Sequence, residues 1–131
     1  MKLVIFSWMV TLLNLITTIG YAQEDVFNKI EQCIRAGDAV TLSAFFSNNV
    51  EITIGKADQD YAKAQAQFVM KDFFSNNPVR SFSFVHKGSS GDTYYAVGTY
   101  QSSRGSYDTN IFLKRNGSSF LIEQIRFEVD K

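Results

Sequence analysis

The stretch VRSFSFVHKGSSGDTYYAVGTYQSSRGSYDTNIFLKRNGSSFLIEQIRFEV, from Val79 to Val129, decides the fold. Turn chemistry divides it into four β segments. Val79–Lys87 ends at Gly88-Ser89-Ser90-Gly91, and Thr93–Ser102 ends around Gly105. Tyr107–Arg115 ends at Asn116-Gly117, two residues that tolerate positive φ and therefore favour a tight hairpin. Phe120–Val129 closes the run. Connections this short suit antiparallel neighbours, because a parallel crossover needs a dozen residues or more. The spacing predicts a four-stranded meander.

Upstream of the meander the period changes. In YAKAQAQFVMKDFF the residues Ala62, Ala66, Val69, Met70, Phe73 and Phe74 recur on one helical face. Asn76-Asn77-Pro78 stops that helix, since Pro cannot continue the backbone bonding and restricts Asn77 as well. Before it, VEITIG alternates Val50, Ile52 and Ile54 with Glu51 and Thr53, as a half-buried strand does. A polar loop holding Asp58 and Asp60 is expected between the two, with its carboxylates as helix caps. Asp25 to Ala36 reads as an amphipathic helix ended by Gly37 in the left-handed conformation. Asp38 then caps a short helix carrying Leu42, Phe45 and Phe46 inward, and Asn48-Asn49 turns the chain. Three helices, one strand and a meander give an α+β class, a curved antiparallel sheet with helices on one face.

The first twenty-two residues read as an address. Met1-Lys2 precedes the apolar run LVIFSWMVTLLNLITTI, and Gly20 and Ala22 are the small residues before a break, as in a secretory signal peptide. The expected products are a signal peptide over 1–22 and a single domain over 23–131. The protein would then be exported, periplasmic or secreted, and without a membrane span after cleavage. The alternative is an uncleaved anchor, although Thr11, Asn14, Thr17 and Thr18 dilute a run of short length for a span.

The 131 residues are 45% hydrophobic, 20% charged and 15% aromatic, with thirteen basic and thirteen acidic side chains. A chain of this size holds one domain. A balanced charge argues against a nucleic-acid partner, which would call for a basic excess. One Cys and one His exclude a disulfide framework and a Cys/His zinc site within the chain. Cys33 falls on the apolar stripe of its helix and is expected to be buried.

The order of these elements resembles the nuclear transport factor 2-like superfamily, also called SnoaL-like or cystatin-like, a cone of curved sheet around a long helix. More closely, the chain resembles the exported family known as domain of unknown function 4783. The resemblance rests on IRAGDAVTLSAFFSNNVEITI, AKAQAQFVMKDFFSNNP, FSFVHKGSS, TYYAVGTYQSSRGSY and FLIEQIRFE, which together cover nearly all of residues 23–131 in the matching order. It implies a fold with a pocket between sheet and helices, often dimeric through the outer sheet face. It implies no reaction, since fold alone does not select an activity.

Catalytic signatures are sparse. Gly88-Ser89-Ser90-Gly91 lacks the Lys and following helix of a phosphate loop, and no Gly-x-Ser-x-Gly elbow occurs. Asp58-x-Asp60 is too short for a calcium loop. Asn116-Gly117-Ser118 fits a glycosylation acceptor but reads better as a turn. No catalytic residue, metal site or cofactor is assigned. An isomerase- or dehydratase-like enzyme would need a buried carboxylate base, and Glu123 is the candidate, sharing an alternation face with Leu121, Ile125, Phe127 and Val129. Tyr61, Tyr94 and Tyr100 are its candidate partners, and His86 shares a strand face with Phe82 and Phe84.

Twelve Phe and six Tyr favour binding over catalysis. The aromatics occupy both alternation phases of the strands, so one set should lie outside the core, as a ligand or partner surface does. The expectation is a non-enzymatic binder of a small apolar ligand or of an envelope protein. Tyr61, Tyr94, Tyr100, Glu123 and His86 would contact the ligand, and Phe82 and Phe84 on the outer sheet face would form a homodimer. A purely structural envelope component is the remaining alternative.

Overall fold

The computed structural model describes residues 23–130, so the expected signal peptide lies outside the described residues. Among the described residues, 23–36 belong to helix α1; α2 covers Ala39–Ser43, and β1 (Phe46–Ile54), β2 (Ala57–Ala62) and α3 (Lys63–Asn76) follow. The meander consists of β3 (Val79–Ser90), β4 (Thr93–Ser102), β5 (Gly105–Asn116) and β6 (Ser119–Val129). All six strands form one open, curved sheet in the order β2-β1-β6-β5-β4-β3, antiparallel throughout except for the β1–β6 pair. The α+β class expected from the sequence is the class found.

The helix ends follow from local chemistry. Gly37 takes φ +63, donates to the Ile34 carbonyl at 3.1 Å, and lets Asp38 N–H reach the Cys33 carbonyl at 2.9 Å. Those two bonds satisfy carbonyls that the last turn of α1 would otherwise leave open. Asp38 then accepts from the Thr41 amide at 3.0 Å and the Thr41 hydroxyl at 2.5 Å, starting α2. The Thr41 hydroxyl holds the Asp38 carboxyl below its ordinary range. Cys33 is buried as expected, and burial pushes its thiol up.

Four expectations are corrected. The polar loop around Asp58 and Asp60 is a sixth strand, β2, folded back on β1 through Gly55 at φ +63. Its side chains are exposed apart from half-buried Tyr61, so it carries no alternation of the kind that betrays a strand. Neither Asp58 nor Asp60 caps α3: the N-cap is Ala62, and Asp58 accepts the Thr53 hydroxyl instead. Phe46, expected in the short helix, begins β1, and Asn48-Asn49 lies inside that strand, where its register with β6 shifts.

The core lies between the helices and one side of the sheet. Ile30 and Ile34 of α1, Leu42 of α2 and Met70 of α3 are buried with Ile111, Leu113, Ile122, Ile125 and Phe127 of the sheet. Phe73 of α3 is the centre of an aromatic cluster, stacked on Phe127 at 4.3 Å between centroids and 5.3 Å from Tyr100.

Both sheet edges are managed. On β3, Glu31 of α1 accepts from the Phe84 amide at 3.0 Å, and Arg35 donates to the Phe82 carbonyl at 2.7 Å. The two side chains also pair with each other at 2.9 Å. One helical turn thus occupies two edge groups that would invite another strand. The β2 edge instead carries the charges of Asp58 and Asp60, a common deterrent to edge pairing.

Candidate functional site

Register shifts in β3 and β6 decide which side chains face which way. In β3, Phe84 pairs with Gly98 and His86 with Val97, so Val85 is the extra residue. In β6, Ile122 pairs with Leu113 and Gln124 with Phe112, so Glu123 is the extra residue. Each insertion reverses the alternation beyond it.

Glu123 is therefore exposed, not in an apolar row: Phe120 and Ile122 face inward before the bulge, Ile125 and Phe127 after it. It lines an open hollow of about 190 Å³ with Ser47, Lys114, Arg115, Asn116 and Leu121. The inward carboxylate expected of an isomerase-like site is not found at this position. Phe82 and Phe84 also depart from expectation. Phe82 is buried, and Phe84 is half-buried against Phe27 of α1 at 5.7 Å and Phe82 at 5.1 Å. Both are on the helix-facing side because the register shift between Val79 and Ser81 sets Phe82 opposite the buried Tyr100, with Phe84 opposite Gly98, and α1 docks over them. The Val85 bulge turns His86 to the other side, so it does not share a face with them.

The three tyrosines expected in one ligand site are dispersed. Tyr61 is half-buried at the end of β2, its hydroxyl 3.2 Å from Gln59 Oε1. Tyr94 packs edge-on against Phe120 at 5.2 Å and borders a hollow beside Gln23, Glu24 and Phe27 of α1. Tyr100 is wholly buried; its hydroxyl donates to the Asn77 carbonyl at 2.5 Å. Burial, reinforced by the neighbouring Tyr107 phenol, pushes Tyr100 up to about 12.

Sequence reasoning did not anticipate the hub around Asn77. Its Oδ1 accepts from Tyr107 at 2.9 Å, its Nδ2 donates to the Phe73 carbonyl at 3.1 Å, and its carbonyl receives Tyr100. Asn77 thus ties the end of α3 to β4 and β5. The available sign was Asn-Pro after an apolar helix, which marks a helix end but not its partners. Both phenols are committed to this tie, which gives Tyr100 a structural role.

The other side of the sheet holds a different cluster. Tyr95 stands opposite Phe112, Phe112 opposite Gln124, and Gln124 opposite Glu51, whose carboxylate accepts from Gln124 at 3.2 Å. The Tyr95 ring lies over Gly88, where a Cβ would collide with it, and 5.9 Å from the exposed His86 ring. Tyr95, Val97 and Phe112 are half-buried and take no part in the core. Arg126, in the adjoining row, pairs with Glu128 at 3.1 Å, while its enclosed Nε has no hydrogen-bond partner among the described residues. This face can offer aromatic contact bordered by both signs of charge.

Among the described residues, no three His, Cys, Asp or Glu side chains converge as a metal site would require. No helix among them is long and apolar enough to cross a membrane.

The family model for domain of unknown function DUF4783 matches residues 27–128. The chain belongs to this family. Its DUF4783 fold is shared with a solved family protein from Bacteroides ovatus, 25% identical, with a TM-score of 0.76 over 79% of this chain and 94% of that one. A family protein from Bacteroides uniformis is 23% identical, with a TM-score of 0.76 over 79% and 96% of the two chains. A putative dehydratase of the nuclear transport factor 2-like family from Streptomyces avermitilis is 10% identical, with a TM-score of 0.64 over 85% and 95%. That likeness concerns the fold, which is nuclear transport factor 2-like, as the order of elements implied. A comparison with curated proteins found no match.

Proposed function

We propose that this DUF4783 chain is an exported, non-enzymatic binding module that engages a protein through the helix-free face of its sheet. The observation that carries the reading is the Tyr95–Phe112 pair, with Val97 and His86 beside it, lying outside the core. Half-buried aromatics within a polar border are what protein interfaces use as anchors. A second copy of the chain is one such protein, joined face to face about a two-fold axis. The signal-like first twenty-two residues support export.

A small apolar ligand is the second reading. It is favoured by the groove of about 270 Å³ between α1 and α2, lined by Lys29, Gln32, Cys33, Ala36, Asp38, Thr41 and Phe45. Typical ligand pockets hold about 300–1,000 Å³, and the space between Phe73, Tyr100 and Phe127 is occupied by their own rings, so the sheet face is preferred.

The test is light scattering and affinity capture from an exporting host, with wild type beside Phe112→Asp. Wild type is expected as a dimer or with a retained partner, and the variant as a folded monomer without it. A folded variant with unchanged mass and unchanged partners would reject the sheet face. A wild-type monomer carrying only a small molecule would favour the groove.

A further inference from the structure

We propose that the partner of the helix-free sheet face is a basic protein segment, one that presents an apolar side chain flanked by Lys or Arg. This rests on the reading of that face as a protein-binding surface, and adds the chemistry of what it binds. The face is built of rows that run across the strands. In one row Tyr95, Phe112, Gln124, Glu51 and Asp60 stand opposite one another in turn. The next runs through Val97, Asn110, Arg126, Thr53 and Asp58, and a third through Thr99, Asp108 and Glu128.

Each row passes from uncharged groups on β4 to carboxylates on the strands beyond it. Asp58, Asp60 and Asp108 are exposed, and Glu51 and Glu128 are half-exposed. The Thr53 hydroxyl and the Gln124 amide hold Asp58 and Glu51 in place. Arg126 is the cation among these groups, and it is already paired with Glu128 at 3.1 Å. Lys114 and Arg115 stand at one end of the face, around the hollow with Glu123. Lys87 of β3 is turned to the helical side, its ammonium 5.9 Å from the centroids of the Phe27 and Phe84 rings. Paired strands lie about 5 Å apart, so Glu51 is roughly 10 Å from Phe112. A segment that sets an apolar side chain on the Tyr95–Phe112 pair therefore brings its neighbouring Lys or Arg within reach of Glu51, Asp60 and Asp108.

Charge also selects among the occupants. A second copy docked face to face about a two-fold axis along the strands lays its β3–β4 half on the acidic β1–β2 half. That half offers Ser81, Ser83, His86, Thr99 and Gln101, with no Lys or Arg among them. An axis across the strands lays the acidic half on itself. In neither arrangement do the carboxylates meet a matching charge, and like charges brought together discriminate against a partner. Nucleic acid and anionic bilayers present phosphates, the wrong sign for this face. A basic segment gains from the same charges, which steer it toward the aromatic pair before contact is made.

The test titrates the full chain with two synthetic peptides of one pattern, the first of leucine and lysine and the second of leucine and glutamate, and follows backbone amide shifts by NMR. The lysine peptide is expected to bind and to move the amides of Tyr95, Val97, Phe112, Gln124 and Glu51. Its affinity should fall as salt shortens the screening length from about 10 Å at 0.1 M to about 3 Å at 1 M. Glu51→Gln combined with Asp60→Asn should weaken it about 2- to 30-fold. Glu24→Gln combined with Asp72→Asn, an equal loss of charge from exposed helical positions, should leave it unchanged. Phe112→Ser should weaken it without any change of charge. Equal binding of the two peptides, shifts confined to the groove between α1 and α2, equal losses in the two double variants, or full binding by Phe112→Ser would each overturn the basic partner. A salt-insensitive dimer that Phe112→Asp dissociates would overturn it too, while leaving the sheet face standing as the interface. A monomer in which neither peptide moves this face overturns both.

Discussion

Replacing Tyr100 with Phe tests the buried hub directly. The substitution keeps the ring, which packs against Phe73 at 5.3 Å and Phe127 at 5.7 Å, and removes the hydroxyl that reaches the Asn77 carbonyl. Losing that bond and leaving a buried carbonyl without its partner should cost about 1–2 kcal/mol at neutral pH. The pH dependence gives a second, opposite term. Tyr100 is raised from 10.0 to about 12 in the folded chain, so the unfolded chain releases its phenolic proton first. The stabilisation is complete below about pH 10 and is lost as pH rises toward about 12, because deprotonation then favours the unfolded state. Two pH units correspond to about 3 kcal/mol, with roughly half gone by pH 11. Wild type should therefore be the more stable protein at pH 7 and lose its lead near pH 11, since the variant lacks this titration. Urea denaturation at a series of pH values measures both limbs, provided the slope is unchanged so that midpoints report stability. Equal midpoints at pH 7, or a difference that stays constant up to pH 12, would refute the assignment of Tyr100 as a buried, hydrogen-bonded phenol.

Other substitutions probe the remaining features. Glu31→Ala removes the acceptor of the Phe84 amide and one half of the ion pair with Arg35, so that amide should exchange its hydrogen faster while amides in β5 stay protected. Gly98→Ala drives a Cβ into the Ser83 carbonyl and should destabilise by about 1–3 kcal/mol in thermal unfolding; unchanged stability would contradict the close approach of β3 and β4. Asp38→Ala removes the α2 cap, and since the Asp38 carboxyl is held low, the stability gap to wild type should be full above the ordinary Asp range and close as pH falls through the lowered value. Glu123→Gln should leave stability within about 0.5 kcal/mol, as expected for an exposed surface position in chemical denaturation.

The elements that local chemistry specifies were legible. Gly37 and Asp38 gave the end of α1 and the start of α2, Pro78 the end of α3, and Asn116-Gly117 the last hairpin, because each acts on the backbone beside it. Cys33 followed from its place on a helical stripe. The candidate site was less legible. Glu123 and His86 were placed by counting alternate residues through positions where the ladder holds one residue too many, and the count fails there. Phe82 and Phe84 were read as outer residues, although α1 covers that side of β3. Strand β2 escaped because the energy that forms it comes from backbone pairing with β1, which leaves no apolar pattern in its own residues.

By itself, the sequence determined the kinds of element, most of their boundaries and the α+β class, since periodicity and turn residues act over a few positions. It also carried the family resemblance, through motifs in order along the chain. Only the tertiary structure decided that β1 lies parallel to β6, that Asn77 joins two tyrosines, and that Tyr95 and Phe112 lie outside the core. Those outcomes depend on which strand pairs with which and where the extra residues of the bulges fall. That choice is made by packing between segments tens of residues apart, and no local window of sequence contains it.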